Sequence, residues 1–232
     1  MDAPIRVFGY DPGGNSGHGV AVLELGHDGL LLVDTATAAS AEEAFCWFEQ
    51  QGKPHAIGID TLTALSGGKS GWRSADTYLR LVYPAHRNSV CSPNFLSGSM
   101  CLSGLYVLER ARKAWPDLPA TEAHPKLLWA DLCPERSYPQ ETVSGSWLQQ
   151  WATFCGQADA NLSPSAAAID SEHAFDGCLA AFAALQMVRG VWSFDLHGAV
   201  HRDPKLWHPA GTTQFVWPGL PKPAGAHLFQ AP

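Results

Sequence analysis

Charge is scarce in this sequence: only 16% of its 232 residues are Asp, Glu, Lys or Arg, against 46% hydrophobic ones. A chain of that composition has a core to bury, which excludes disorder except at the ends. The six cysteines, at 46, 91, 101, 133, 155 and 178, include no CxxC pair, and several fall in apolar periodic segments. Free buried thiols are therefore expected, not disulfides or structural zinc. No stretch approaches the uncharged apolar length needed to cross a bilayer, and the opening "MDAPIRVFGYDPGG" has no basic segment followed by an apolar run. These absences predict a soluble, cytoplasmic chain with no membrane partner. No charge run or low-complexity linker divides it, so the expectation is one domain over residues 1–220 with a loosely ordered tail over 221–232. Positive charge is short as well: the net charge of −7 excludes broad attraction to nucleic acid, and any polyanionic substrate needs a local basic patch.

What is present reads as an α/β alternation. "IRVFGYDPGG" is an apolar, β-branched run stopped by Asp-Pro-Gly-Gly, and "GHGVAVLEL" and "GLLLVDTATA" are two further strands joined by the hairpin signal "GHDG". "SAEEAFCWFEQQGK" predicts a helix that opens at Ser40, spaces Ala44, Phe45 and Phe48 on one side, and closes at Gly52. "HAIGIDTL" is the continuous apolar run of a strand buried on both faces, ending at Asp60. Residues 61–93 form a long excursion rich in Gly and Arg, and long ordered excursions are usually functional. "SGSMCLSGLYVLERARKAW" predicts another helix, "PATEAHP" a strand end and "LLWADL" a short helical piece, while residues 134–168 carry no readable period. A last helix is expected from about Ser171 to Arg189, with Arg189 and Gly190 as its stop. Beyond it the Trp-, His- and Pro-rich segment predicts a short strand near "TTQFVW" in a solvated, loosely held stretch, with no metal assigned to His197, His201 or His208. The order gives a mixed β-sheet, three antiparallel strands and then parallel strands, with helices on both faces.

The last helix poses the chemical question. Asp170, Glu172, His173 and Asp176 precede or open an almost wholly apolar run. On a helical wheel Asp176 shares its side with Ala180, Ala183 and Met187, and Glu172 and His173 flank it, so these acids are expected to face the sheet. A carboxylate turned toward a core needs a positive neighbour or takes up a proton, at a cost of several kcal/mol, and that turn offers no Lys or Arg. Asp11 closes the first strand and Asp60 the fourth, and neighbouring strands deliver both to the helix start. Hard oxygen donors with an optional imidazole suit Mg²⁺ or Mn²⁺, so Asp11, Asp60, His173 and Asp176 are the candidate metal ligands. Such ions can activate water and stabilise the leaving oxygen in phosphodiester cleavage.

Asp at the ends of strands one and four and an acidic last helix, in this element order, resemble the ribonuclease H-like fold, and "HAFD" resembles the His-x-x-Asp ending of some resolvase-type nucleases. More closely, "GIDTLTALSG", "WRSADTYLR", "TEAHP" and "DSEHAFDGCLAAFAAL" are similar to motifs of the predicted-nuclease family catalogued as domain of unknown function family 429, over about residues 5–220. The Arg-x-x-Asp-x-x-Leu-Arg pattern of that family corresponds to Arg73, Asp76, Leu79 and Arg80. The chain departs from it where paired acids are replaced by Glu172 and His173, and where the loop after Asp60 lacks the usual Pro. The resemblance implies catalytic roles for Asp11, Asp60, Glu122, His173 and Asp176. It implies substrate contacts for Arg73, Asp76, Arg80, His124 and Lys126, with Arg73 and Arg80 holding phosphate.

Each of these residues also has an ordinary explanation. Asp11 can be a turn former before Pro-Gly-Gly, Asp60 a loop cap, Asp170 or Ser171 a helix cap, and Arg73, Asp76 and Arg80 a surface ion-pair set. Three functions stay open at this level. The first is a metal-dependent nuclease acting on DNA or RNA. The second is a non-catalytic binding or scaffold protein. The third is an ATP-using phosphotransferase of the actin-like kind, suggested by the glycine turn "DPGGNSG". A homodimer is compatible with all three.

Overall fold

The computed structural model describes residues 3–14, 17–92, 100–139, 146–166, 168–199 and 205–220. In chain order the elements are β1 (Ile5–Asp11), β2 (His18–Leu25), β3 (Leu30–Ala38), α1 (Ala41–Gln51), β4 (Ala56–Ile59), β5 (Leu65–Ser66), α2 (Ser74–Val82), a short 3₁₀ turn (Pro84–His86), α3 (Met100–Ala114), β6 (Ala120–Glu122), α4 (Pro125–Leu132), α5 (Ser146–Ala158), β7 (Ser163–Ala166), α6 (Glu172–Val188), β8 (Phe194–Asp195), α7 (Leu196–Ala199), β9 (Leu206–Trp207) and β10 (Val216–Trp217). Six strands form one sheet in the order β6-β4-β1-β2-β3-β7. The β1–β2 and β2–β3 pairs are antiparallel, whereas β4 runs parallel to β1, β6 to β4 and β7 to β3. The expected mixed sheet is present, with the sixth strand, β7, drawn from the stretch without a readable period.

Period-two alternation divides the sheet between two cores. Phe8, Tyr10, Val20, Val22, Ile57 and Ile59 pack against α1 and α3, through Phe45, Phe48, Val107 and Leu108. Val7, Ala21, Leu23 and Ala56 face the other way, against α6 and the aromatic residues of α4 and α5. Helix α1 starts where the sequence predicts: the Ser40 hydroxyl accepts from Glu43 N at 3.1 Å, and Gly52, at φ 83°, ends it. Helix α6 is capped in the same way, by Ser171 accepting from Ala174 N. Residues Ala174 to Gln186 of α6 are buried without interruption.

Helix α6 lies so close to the sheet that glycine is required beneath it. A Cβ at Gly9 would stand 2.0 Å from the Gly177 carbonyl oxygen, and one at Gly58 would stand 1.9 Å from that of Ala180. Those two glycines are register partners on the adjacent strands β1 and β4.

The segment after α6 corrects the expectation of a solvated stretch. Phe215, Val216, Trp217 and Leu196 are buried, β10 pairs with β8, and β9 pairs with β5. The His197 side chain is only 6% exposed. The physical reason is that Trp217 and Phe215 complete the α6-side core, so the aromatic content marks docking. His201 and the expected tail at 221–232 lie outside the described residues. The six cysteines are unpaired, as expected. Among the described residues no helix is long and apolar enough to cross a membrane.

Candidate metal centre

Three of the expected acids meet. Carboxylate oxygens of Asp11, Asp60 and Asp176 all lie within 4.8 Å of one another. Asp11 ends β1, Asp60 follows β4, where its N–H still donates to the Tyr10 carbonyl at 2.8 Å, and Asp176 sits one turn into α6. The glycines explain the convergence. Gly9 and Asp11, like Gly58 and Asp60, are two residues apart, so each pair lies on one face of its strand. The glycine admits the helix and the acid meets its first turns. The repeated Gly-x-Asp of "GYD" and "GID" is the sequence signal for this arrangement, and it is one that motif and helical-wheel reasoning does not pick out.

Burial, and then the mutual repulsion of the acids, pushes the Asp60 and Asp176 carboxyls well above the usual carboxylate range. Burial also raises Asp11, against a hydrogen bond with His173. That bond runs between His173 Nδ1 and Asp11 Oδ2 at 2.6 Å, and it holds the imidazole above its ordinary value. His173 therefore sits on Asp11 as an orienting partner and is outside the group of converging ligand atoms, which corrects its expected place as a fourth ligand. Tyr138 donates its hydroxyl to Asp176 Oδ1. No protein group among the described residues donates a hydrogen bond to the Asp60 carboxylate.

Among the described residues, the one ammonium at the centre comes from α4, not from the acidic turn of α6 itself. Lys126, in the first turn of α4, pairs with Glu172 at 3.1 Å and lies 5.6 Å from the centre of the Tyr138 ring. Burial pulls its ammonium down, but Asp176, Glu172 and Asp60 outweigh that and leave it raised. Glu172 thus pairs outward with Lys126, 36% exposed, where the wheel predicts that it faces the sheet.

The arginine pattern is corrected more fully. Arg73 is 1% exposed, and its guanidinium is turned to internal acceptors: Nε and Nη2 donate to Asp76 at 2.8 and 2.7 Å, and Nη1 donates to both Glu122 oxygens at 2.7 Å and to the Ala64 carbonyl at 2.9 Å. Glu122 Oε1 also accepts from Thr63 N and Ala64 N, each at 2.7 Å. Burial would raise the Glu122 carboxyl, but Arg73 holds it well below the usual range. These three residues form an internal ion-pair network, in which Arg73 is turned to the two carboxylates, while Asp76 and Glu122 also line the cavity beside Asp60. Arg80 is a brace: its Nη1 donates to the Arg87 and Val90 carbonyls at 2.5 and 2.9 Å, and its guanidinium lies 4.8 Å over the Trp72 ring.

His124 supports the same loop, with Nε2 bonded to the Ser89 carbonyl at 3.1 Å and its pKa pulled down to about 4 by burial. A carbonyl only accepts, so Nε2 carries the proton and the ring is neutral near pH 7. Asp60, Lys126, His124, Ser89 and Val90 line a cavity of about 210 Å³ that adjoins the acids.

The donor set fits a hard divalent cation. Three oxygens no more than 4.8 Å apart leave a central point within about 2.8 Å of each, against about 2.1 Å for Mg²⁺ and about 2.3–2.6 Å for a larger ion, so they would draw in by up to about 0.7 Å to share one ion. Comparison of the chain with protein-family models, with curated proteins and with solved structures finds no match.

Proposed function

We propose that this protein is a metal-dependent nuclease, cleaving phosphodiester bonds in nucleic acid with Mg²⁺ or Mn²⁺ held by Asp11, Asp60 and Asp176. The observation that carries the reading is the meeting of three carboxylates from β1, β4 and α6 around one point. The order β6-β4-β1-β2-β3, three antiparallel strands flanked by parallel ones, supports a ribonuclease H-like assignment, with β7 as an addition at the far edge. The likeness to the domain of unknown function family 429 belongs to the same proposal.

A bound cation would supply Lewis acidity at the phosphoryl oxygen. The chain's own groups do the rest. His173 and Tyr138 fix the rotamers of Asp11 and Asp176, so the three carboxylates present a defined set of oxygens. Lys126, 43% exposed and raised by the acids, stays charged and is placed to attract a phosphate entering beside Asp60. The cavity lined by Asp60 and Lys126 is the route by which substrate reaches the acids.

Calorimetric titration of Mn²⁺ into the wild type and Asp11→Asn, followed by incubation with single-stranded, duplex and branched DNA and with RNA, tests this. The expected result is a saturable heat that the variant loses, and metal-dependent cleavage of at least one polymer. Matching heats in the two proteins would remove the metal site, and binding without any cleavage would favour a scaffold.

A further inference from the structure

A polyanion needs a basic patch on a chain of net charge −7, and the excursion between β4 and α3 supplies one. Residues 61–92 contain Lys69, Arg73, Arg80 and Arg87 but a single acid, Asp76. Arg73 and Asp76 neutralise each other in the interior, so what remains for the surface is cationic. Lys69 is exposed on a turn closed by Gly71 N donating to Gly68 O at 3.0 Å, and Arg87 is exposed after the 3₁₀ turn. The β5–β9 pair adds to this face: Gly67 N donates to the Lys205 carbonyl at 2.9 Å, which sets exposed Lys205 beside the Lys69 turn, with Trp207 51% exposed.

The same face has aromatic and apolar surface between its cations. Trp72, Thr77, Arg80, Leu81 and Arg87 line a groove of about 400 Å³, where the Arg80 guanidinium lies over the indole. Arg80 also bonds the Val90 carbonyl, and Val90 and Ser89 line the cavity that contains Asp60 and Lys126. Groove and carboxylates are thus separated by one braced loop. Cations alternating with a ring and a guanidinium plane are the chemistry that binds an unpaired strand, phosphates on the charges and bases stacked between them. Duplex bases are already stacked and offer no such face. The cavity of about 210 Å³ is also of single-base size, since about 150 Å³ accommodates a benzene ring.

We propose that the face formed by Lys69, Trp72 and Arg87 binds a single nucleic-acid strand and leads it to the acids. Its end point rests on the nuclease reading, whereas strand binding itself does not need metal or cleavage. The test is therefore binding of the full-length chain in EDTA. Fluorescence anisotropy would use labelled oligothymidylate and oligouridylate of about 16 nucleotides, near the upper site size of a single-strand groove, and a blunt duplex of equal length. The wild type is expected to bind the single strands, and the duplex more weakly. Lys69→Ala and Arg87→Ala should each weaken binding and shallow the log–log salt slope by about 0.7, one phosphate contact on a single strand. Trp72→Ala should cost about tenfold in affinity. Because Trp72 is half-buried, the two exposed cations decide the outcome if that variant does not fold. Absence of single-strand binding by the wild type, preference for duplex, or an unchanged salt slope in both cation variants overturns the proposal. Intact binding without cleavage overturns only the nuclease reading.

Discussion

Replacing Asp60 by Asn removes one of three acids crowded within 4.8 Å, and without metal the protein should gain stability. Two unit charges at that distance repel by about 3.5 kcal/mol at an effective dielectric of about 20, so ionised Asp60 faces a large penalty from Asp11 and Asp176. Proton uptake caps it: keeping a carboxyl of ordinary pKa 3.8 neutral at pH 7 costs about 4 kcal/mol. The Asn side chain carries no such cost, and no described donor to Asp60 is lost. A gain of about 2–4 kcal/mol follows, or roughly 4–16 °C in Tm for a chain of this size. The sign with pH is fixed by the raised carboxyl. The folded state holds the proton more tightly than the unfolded one, so the wild type is favoured below the unfolded pKa and loses that contribution as pH rises through the folded pKa. The advantage of Asp60→Asn should therefore widen with rising pH from about 4 upward in EDTA and shrink or reverse in saturating Mn²⁺. Calorimetric melts across pH, with and without Mn²⁺, measure both effects. A variant that melts below wild type in EDTA, or whose advantage survives Mn²⁺ unchanged, would refute the shared-ion reasoning.

Arg73→Met should destabilise the fold by about 3–5 kcal/mol, because it strands Glu122 and Asp76 as buried charges; adding Glu122→Gln and Asp76→Asn should recover part of the loss in denaturant titrations. Tyr138→Phe removes the hydroxyl on Asp176 and should weaken Mn²⁺ binding about tenfold by calorimetry, with the far-ultraviolet spectrum unchanged. Gly58→Ala forces a methyl to within 1.9 Å of the Ala180 carbonyl oxygen, so a loss of about 3 kcal/mol or more is expected, read as a lower urea midpoint.

Much of this architecture is legible in the sequence because its signals are local. Ser40 and Gly52, Ser171 and Gly190, and the "GHDG" hairpin mark their elements through caps and turns that involve only near neighbours. Asp11, Asp60 and Asp176 are identifiable because strand ends and a helical wheel place them without tertiary knowledge. Arg73 is misleading because its decisive partner, Glu122, is 49 residues away, and the i,i+3 spacing with Asp76 is equally that of a surface pair. β7, with sequence "SPSA", reads as loop since Pro164 lacks an N–H; it is tolerated because β7 is an edge strand. Of the two-residue strands near the C-terminus, β10 falls within the strand expected near "TTQFVW", whereas β8 and β9 are too short for any period to mark them.

The acids at the head of a buried helix also have an electrostatic logic. The α6 N-terminus carries a partial positive charge that favours Glu172 and the nearby strand-end carboxylates, but the effect fades within the first turn. Asp176, 5% exposed and a turn further in, gains little from it, and Tyr138 offers a neutral donor only. The charges can be counted. Among the described residues, Asp11, Asp60, Asp176 and Glu172 face one ammonium, Lys126, and one imidazole that Asp11 keeps readily protonated, His173, while burial holds the nearby His18 ring below its ordinary value. With all six ionised the centre holds two uncompensated negative charges, the charge of one divalent cation. Proton uptake by Asp60 and Asp176 is the other way to balance them, and it is the state that the upward shift of both carboxyls describes when no cation is bound. The two states would differ by protons as well as by metal, so the same burial that makes the acids costly would make any cation binding expel those protons.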